Sequence, residues 1–513
     1  MEENKISKGK EILAILLLTM VIGTGTIAWI VWSSKDNTKM NVTIGDLADV
    51  SFKTGNDINI SNLSPSFYYD DGALTEFSIR KKKGLTIELN TNIYLDITSI
   101  SDELKNDNFK YVLLSSSDGN TYNEVISSSF KDASIGKLSI VTDSPLTDGK
   151  TYYKFYIWID GNNENNETMQ GKSLKGTLNV DVSTPPVNAV TLVEGLDKGE
   201  TGDDGSGVYK VTHSAISASS SATGSEIPAV TDYRYYGPSP NNYICLDMED
   251  ASTCTDKHLY RIIGSIYEEK ENTNRLKVIK ATPLTDGTTS KFSWDYKVNN
   301  GSGSYDNIWA TITSGNYSNS LTSGSQLMKL LNSGAWWNGT SGSYYNNSTT
   351  ATTVNFTNYK LSDKAKSYIT TSRYYLGGYN NNTPLTNEMY GYERGTLRYN
   401  TDRPLYWEGM VGLMYPSDYG YAAGNTCVTE TKLFDYDGGC KIKDWLYISN
   451  TYQWLMSPGS GDSGRVFNVN SSGYVNNGHI SNNVYSVSPV FYLNSSASIS
   501  SGDGTSTAPY ILS

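Results

Sequence analysis

Only 3 His and 4 Cys occur among 513 residues, a scarcity that narrows the chemistry open to the chain. His213, His258 and His479 lie far apart in sequence, and none sits beside a Ser or Cys motif. HExxH, GxSxG, a phosphate loop and GxGxxG before a helix do not occur. Basic residues are also short, with 41 Lys and Arg against 53 Asp and Glu and a net charge of -12. A nucleic-acid partner is disfavoured, because phosphate binding needs clustered cations. The basic run Arg80 to Lys83 is too brief to change that and reads as a solvated hairpin turn. Phe is sparse at 11 residues, whereas Tyr reaches 39, so most aromatic rings carry a polar tip. Tyr with Ser, Gly and Asn is the composition of binding loops, where rigid rings give contact area at low entropic cost.

A long uncharged run is present at the N-terminus, "ILAILLLTMVIGTGTIAWIVW" from Ile12 to Trp32, about the length that crosses a hydrocarbon core as a helix. Lys5, Lys8 and Lys10 precede it, which places the N-terminus in the cytoplasm and everything after Trp32 outside. Residues 1–32 are therefore expected to be a signal-anchor, or a signal peptide cut between Ala28 and Trp29 in the small-residue stretch "GTGTIA". The chain would then sit on the extracellular face of a bacterial membrane as a single-pass protein, or be secreted after cleavage. The stretch "GTGTIAWIVWSSKDNTKMNVTIGDL" resembles the signal end and first strand of the exported fibre-forming camelysin and TasA proteins, with Ile27 where an aromatic is usual.

An exported location suits the four cysteines. Cys245 with Cys254, and Cys427 with Cys440, would each close a short loop, the most economical of three possible connectivities. Neither pair has CxxC spacing, and no zinc-ligand pattern accompanies them. Asp160, Asn162, Glu164 and Glu167 in "DGNNENNE" place hard oxygens at intervals that calcium accepts, but without the glycine of the standard loop, and a solvated hairpin tip competes. No other cofactor or metal is expected.

The predicted architecture is mainly β and multidomain. Residues 33–183 hold period-two strands such as "LTIELNTNIYLDI", "FKYVLLSS" and "TYYKFYIWID", separated by "SDGN" and "TDGK" turns, the spacing of an immunoglobulin-like β-sandwich. Trp158 is expected in its core. The prolines of "STPPVNAV" open a linker over 184–207, and "SASSSATGSE" reads as a mobile loop. Residues 208–513 mix strands, "GMVGLMYPSDYG" among them, with helices over "SGSQLMKLLNSGAWW" and "LSDKAKSYI", making an α+β domain.

Five segments of this last region, "TDYRYYGPSPNNYICLD" with "LYRIIGSIY", "VGLMYPSDYGYA", "WLMSPGSGDSGRVFNVNSSGYV" and "VSPVFYLNSSASISSGDGTSTAPYIL", are similar, in the same order, to the DUF6273 type of domain that ends many secreted proteins of gut Firmicutes. Ser488 stands where that family usually carries Arg, so a role for that Arg does not transfer. The "WLMSP" to "PVFYL" ending also looks like that of C-type-lectin-like folds, in which polar loops before the last strand form the binding face. That resemblance implies a recognition face and no established activity.

On the residues alone, "RVFNVN" and "YVNNGHI" form a strand pair around an "SSG" turn whose Gly473 takes positive φ. Val466, Val484, Val487, Val490 and Leu493 would anchor the core. Asn468, Asn470, Tyr474, Asn476, Asn477, Asn482, Asn483 and Tyr485 would project outward or line the loops, donating to and accepting from sugar hydroxyls or a protein surface. A solvated hairpin is the competing reading. Asp418 and Glu393 have the residue types of a glycosidase pair, but loop hydrogen bonds and ion pairs account for them. With no catalytic motif found, the leading expectation is a cell-surface binding or adhesion protein for a glycan or protein. A self-assembling matrix or fibre subunit is the alternative, and a carbohydrate-active or protein-modifying enzyme the third.

Overall fold

In the computed structural model, residues 40–512 are described apart from short stretches, of which 84–87, 163–165, 248–253, 296–307 and 318–323 are the longest. Residues 12–32, the Ala28–Trp29 junction, Glu164 and Asn482 lie outside the described residues. No helix among the described residues is long and apolar enough to cross a membrane. The described chain is mainly β and falls into two compact units that divide between Pro185 and Pro186.

The first unit is two antiparallel sheets around one core. Six strands run in the order Met40–Ile44, Ala48–Phe52, Ala73–Lys81, Lys150–Ile159, Phe109–Ser116 and Asn123–Ser129. Four more run Asp57–Ser61, Ser173–Ser183, Asn90–Ile100 and Gly136–Pro145. Phe77, Leu95, Phe109, Phe155 and Leu178 meet between the sheets. Period two decides the rest: Tyr153, Phe155, Ile157 and Ile159 point into that core, so Tyr156 and Trp158 face the other way. Trp158 is buried as expected, though not between the two sheets. It lies in a satellite cluster on the outer face with Val112, Leu114 and Tyr156, where Tyr69 packs edge-on at 6.1 Å.

Asp160 gives little support to a calcium loop. Its Oδ2 pairs with Lys110 Nζ at 2.5 Å and its Oδ1 accepts from the backbone and side-chain nitrogens of Asn162, so both oxygens are occupied.

The second unit begins at Pro186, which corrects the expected linker over 184–207. Val187–Asn188 already pairs with Ser498–Ser501, and the helix Ala189–Glu194 follows under an Asn188 cap. Glu194 accepts from Ser265 Oγ and Asn274 Nδ2, fixing the helix to the main sheet. That sheet has ten strands. Its central path runs Tyr510–Leu512, Tyr243–Cys245, Leu259–Glu268, Thr273–Lys280 and Val490–Leu493, and Val230–Tyr236 joins Leu259–Glu268 from the side. Trp294, Trp309, Trp407 and Trp454 form a chain of fully buried indoles, with successive centroids 5.3 to 6.1 Å apart where they pair.

The two helices read from sequence are present as Gln326–Asn332 and Asp363–Tyr368, capped by Ser325 and Ser362. "GMVGLMYPSDYG" is not a strand throughout: Pro416 opens the helix Pro416–Ala422, and Asp418 at its third position accepts from Tyr415 N. "SASSSATGSE" is not a free loop either. Ala222 N donates to Arg394 O and Ser221 bridges Gly395, so its centre is buried. The cysteines pair locally, Cys245 with Cys254 and Cys427 with Cys440.

Candidate functional site

Gln453–Pro458, Arg465–Val469 and Val475–His479 form a separate three-stranded antiparallel sheet, with Asn468 opposite Asn476 and Val466 opposite Gly478. Val466, Val487, Val490 and Leu493 are fully buried as expected, and Val484 is half-buried. Gly473 closes the turn at φ +100°, where only glycine is unstrained.

The hairpin tip is docked rather than displayed. The carbonyls of Ser471, Ser472 and Gly473 accept from Tyr447 Oη, Lys441 Nζ and Tyr419 Oη at 2.8, 3.0 and 2.6 Å. Asn470 is buried and caps the turn, its Oδ1 accepting from Ser472 N while Nδ2 donates to Tyr452 Oη. Asn468 lies on the middle strand, covered on both faces, and is 0% exposed. The outward projection expected of Asn468 and Asn470 is therefore corrected, because a central strand has no solvent face here.

The other predicted residues do converge. A Cβ placed on Gly478 would lie 2.9 Å from Asn468 Nδ2, 3.3 Å from Tyr485 Oη and 3.6 Å from Asn483 Nδ2, so three polar groups close on Gly478 in a recess too tight for a side chain. Asn468 Nδ2 makes one long contact, 3.4 Å to Val466 O, and its Oδ1 is buried with no hydrogen-bond partner among the described residues. Leaving such a carbonyl unmet costs about 1–3 kcal/mol. Tyr485 stacks on Tyr452 at 4.9 Å and leans on Trp454 at 4.3 Å, giving the recess an aromatic wall. Burial and the nearby Tyr452 push the Tyr485 phenol up to about 12, so it stays a neutral donor and acceptor. Asn476 and Asn477 are half-buried at the rim, with Arg465 Nη1 donating to Asn477 O and Oδ1. Tyr474 sits apart, against Phe434 at 5.3 Å.

Asp418 and Glu393 are buried and fully engaged. Asp418 Oδ1 accepts from Arg234 Nη1 at 3.0 Å and Oδ2 from Lys277 Nζ at 2.5 Å. Glu393 accepts from Ser417 N at 2.9 Å and Ser417 Oγ at 2.5 Å, with Arg394 Nη1 at 3.3 Å. These are the ion pairs and hydrogen bonds the sequence suggested, set on helices rather than loops. Burial raises the Glu393 carboxyl to about 7. Arg234 also takes Asp232 through Nε and Nη2, and Asp232 receives His213 and Tyr267 N, which completes a charged cluster absent from the sequence reading. Its trace in the sequence is Asp232 and Arg234 in "VTDYRYYG" and Lys277 in "RLKVIKA", charged side chains within otherwise apolar and aromatic strands. His258 lies instead near Asp247, and His479 is exposed.

No family model, curated protein or solved structure matches the chain.

Proposed function

We propose that this chain is a bacterial cell-surface binding or adhesion protein whose C-terminal unit, of the DUF6273 type, takes a hydroxyl-bearing group of a glycan or protein in the recess over Gly478. The observation that carries this reading is the Asn468 carbonyl, buried within a ring of polar groups and without a partner among the described residues. A ligand hydroxyl can donate to Asn468 Oδ1 and accept from Asn483 Nδ2 while its apolar face lies on Tyr485 and Tyr452. Export by residues 12–32 and the two disulfides suit an oxidising exterior.

The test is binding of residues 33–513 to a glycan array and a panel of surface proteins, beside Gly478→Ala. The added methyl occupies the recess without a strained φ but presses on buried Asn468, so at least tenfold weaker binding is expected from a chain that stays folded, checked by its thermal unfolding. Equal binding by both forms, or none by either, would remove the recess from function.

One observation favours the fibre-subunit reading as a second possibility. Met40–Ile44 is an edge strand of the six-stranded sheet, with one side free of sheet partners among the described residues. Such an edge is a template for strand addition by a second copy.

A further inference from the structure

The geometry points to an intramolecular amide between Lys277 Nζ and Asp418 Cγ, formed by loss of one water and joining the strand Thr273–Lys280 to the helix Pro416–Ala422. Lys277 Nζ is 2.5 Å from Asp418 Oδ2, and the two side chains are 0% and 1% exposed. Around the ammonium stand the rings of Tyr415 at 4.4 Å and Tyr492 at 5.5 Å. A dry, aromatic enclosure makes a separated ion pair costly, and an amide removes both charges.

Charge accounting within the cluster supports the same outcome. Arg234 and Lys277 face Asp232 and Asp418, two cations for two carboxylates, with His213 held neutral by burial. Arg234 already has a counterion, since its Nε and Nη2 lie 3.1 and 2.7 Å from Asp232 Oδ2. Condensing Lys277 with Asp418 leaves Arg234 paired with Asp232, so the cluster is balanced before and after.

The groups needed for the step are in place. Against the upward push of burial, Lys277 and Arg234 hold the Asp418 carboxyl below its ordinary value, so the pair rests as ammonium and carboxylate and the first step is an uphill proton transfer from Nζ to Oδ2. Burial pulls the Lys277 ammonium down, which favours giving up that proton. The freed amine attacks Cγ. Negative charge develops on Oδ1, where Arg234 Nη1 already donates at 3.0 Å. A second proton passes from Nζ to Oδ2, the Cγ–Oδ2 bond breaks, and Oδ2 departs as water. One hydrogen stays on the amide nitrogen, and no oxidant or further reactant is required.

The test is a tryptic digest of the full chain after reduction and denaturation. Trypsin should cut after Arg275 and Lys280 but not after Lys277, releasing a branched peptide in which Leu276–Lys280 is attached to the fragment containing Asp418, lighter than the sum of its parts by one water. Lys277→Arg should abolish the branch. Recovery of Leu276–Lys277 as a free dipeptide with an unmodified Asp418 fragment would overturn the proposal, as would a missing water that maps to another pair. If Lys277→Arg does not fold, the digest of the native chain decides alone. The result is independent of ligand binding at the Gly478 recess.

Discussion

The imidazole of His213 lies flat on the ring of Tyr390, with centroids 3.6 Å apart and planes within 6°, while its Nε2 stands 2.9 Å from Asp232 Oδ2. Burial holds the imidazole below its ordinary value in spite of Asp232. The stability tied to its neutral form is present above the unfolded value of about 6.5 and is lost as pH falls below it. In His213→Phe the stacking is kept and the hydrogen bond to Asp232 removed. Urea unfolding should show this variant about 1–3 kcal/mol less stable than the native chain at pH 7.5, with the gap narrowing toward pH 5.

Glu393 has the opposite sign. Burial raises its carboxyl to about 7, so the stability carried by the protonated form is present below the unfolded value and is lost as pH rises through 7. Glu393→Gln fixes the neutral form while keeping an acceptor for Ser417. Its stability relative to the native chain should rise by roughly 3 kcal/mol between pH 4.5 and pH 8, read from denaturant midpoints. A flat difference across that range would place the Glu393 carboxyl at its ordinary value.

The Cys427–Cys440 bond spans a separation of 13 residues and ties the first turn of the helix Asn425–Glu430 to the turn before Trp445. Replacing both cysteines by Ser should cost roughly 3 kcal/mol, on the chain-entropy estimate for a loop of that size. Comparing unfolding of both chains with and without reductant checks it, since the two should match only in reductant, where Cys245–Cys254 is open in each.

Facing assignments on the strand Lys150–Ile159 make the first unit testable in the same way. Phe155→Ala opens a cavity between the two sheets and should cost about 3–5 kcal/mol. Trp158→Ala removes a ring covered only by the outer cluster and Tyr69, and should cost less, roughly 2 kcal/mol. Equal losses at both positions would mean the outer cluster is as tightly packed as the core.

Strand periodicity carried most of the legible information. Phe155 and Trp158 are three residues apart, so a period of two puts them on opposite faces, each covered by its own apolar cluster. The caps at Ser325 and Ser362 were visible because their side chains act locally, on Met328 N and Ala365 N. What Asn468 and Asn470 face is set non-locally, by the strands on either side of 465–469 and by donors from Tyr419, Lys441 and Tyr447, and no local pattern carries it. The recess combines Asn468, Gly478, Asn483 and Tyr485, and its signal in sequence was a glycine inside a strand otherwise rich in Asn. The pairing of Lys277 with Asp418 spans 141 positions, a distance no local pattern reports.

The sheet of the second unit closes with its own ends. Tyr510–Leu512 lies parallel to Tyr243–Cys245 and antiparallel to Ser498–Ser501, which in turn pairs with Val187–Asn188. The first strand of this unit thus has no sheet partner among the described residues until Ser498–Ser501 has been made. That border of the sheet is therefore joined by residues from opposite ends of the unit, Val187 meeting Ile499, and it forms last while the pairs Val230–Tyr236 with Gly207–His213 and Leu259–Glu268 with Thr273–Lys280 need no such wait.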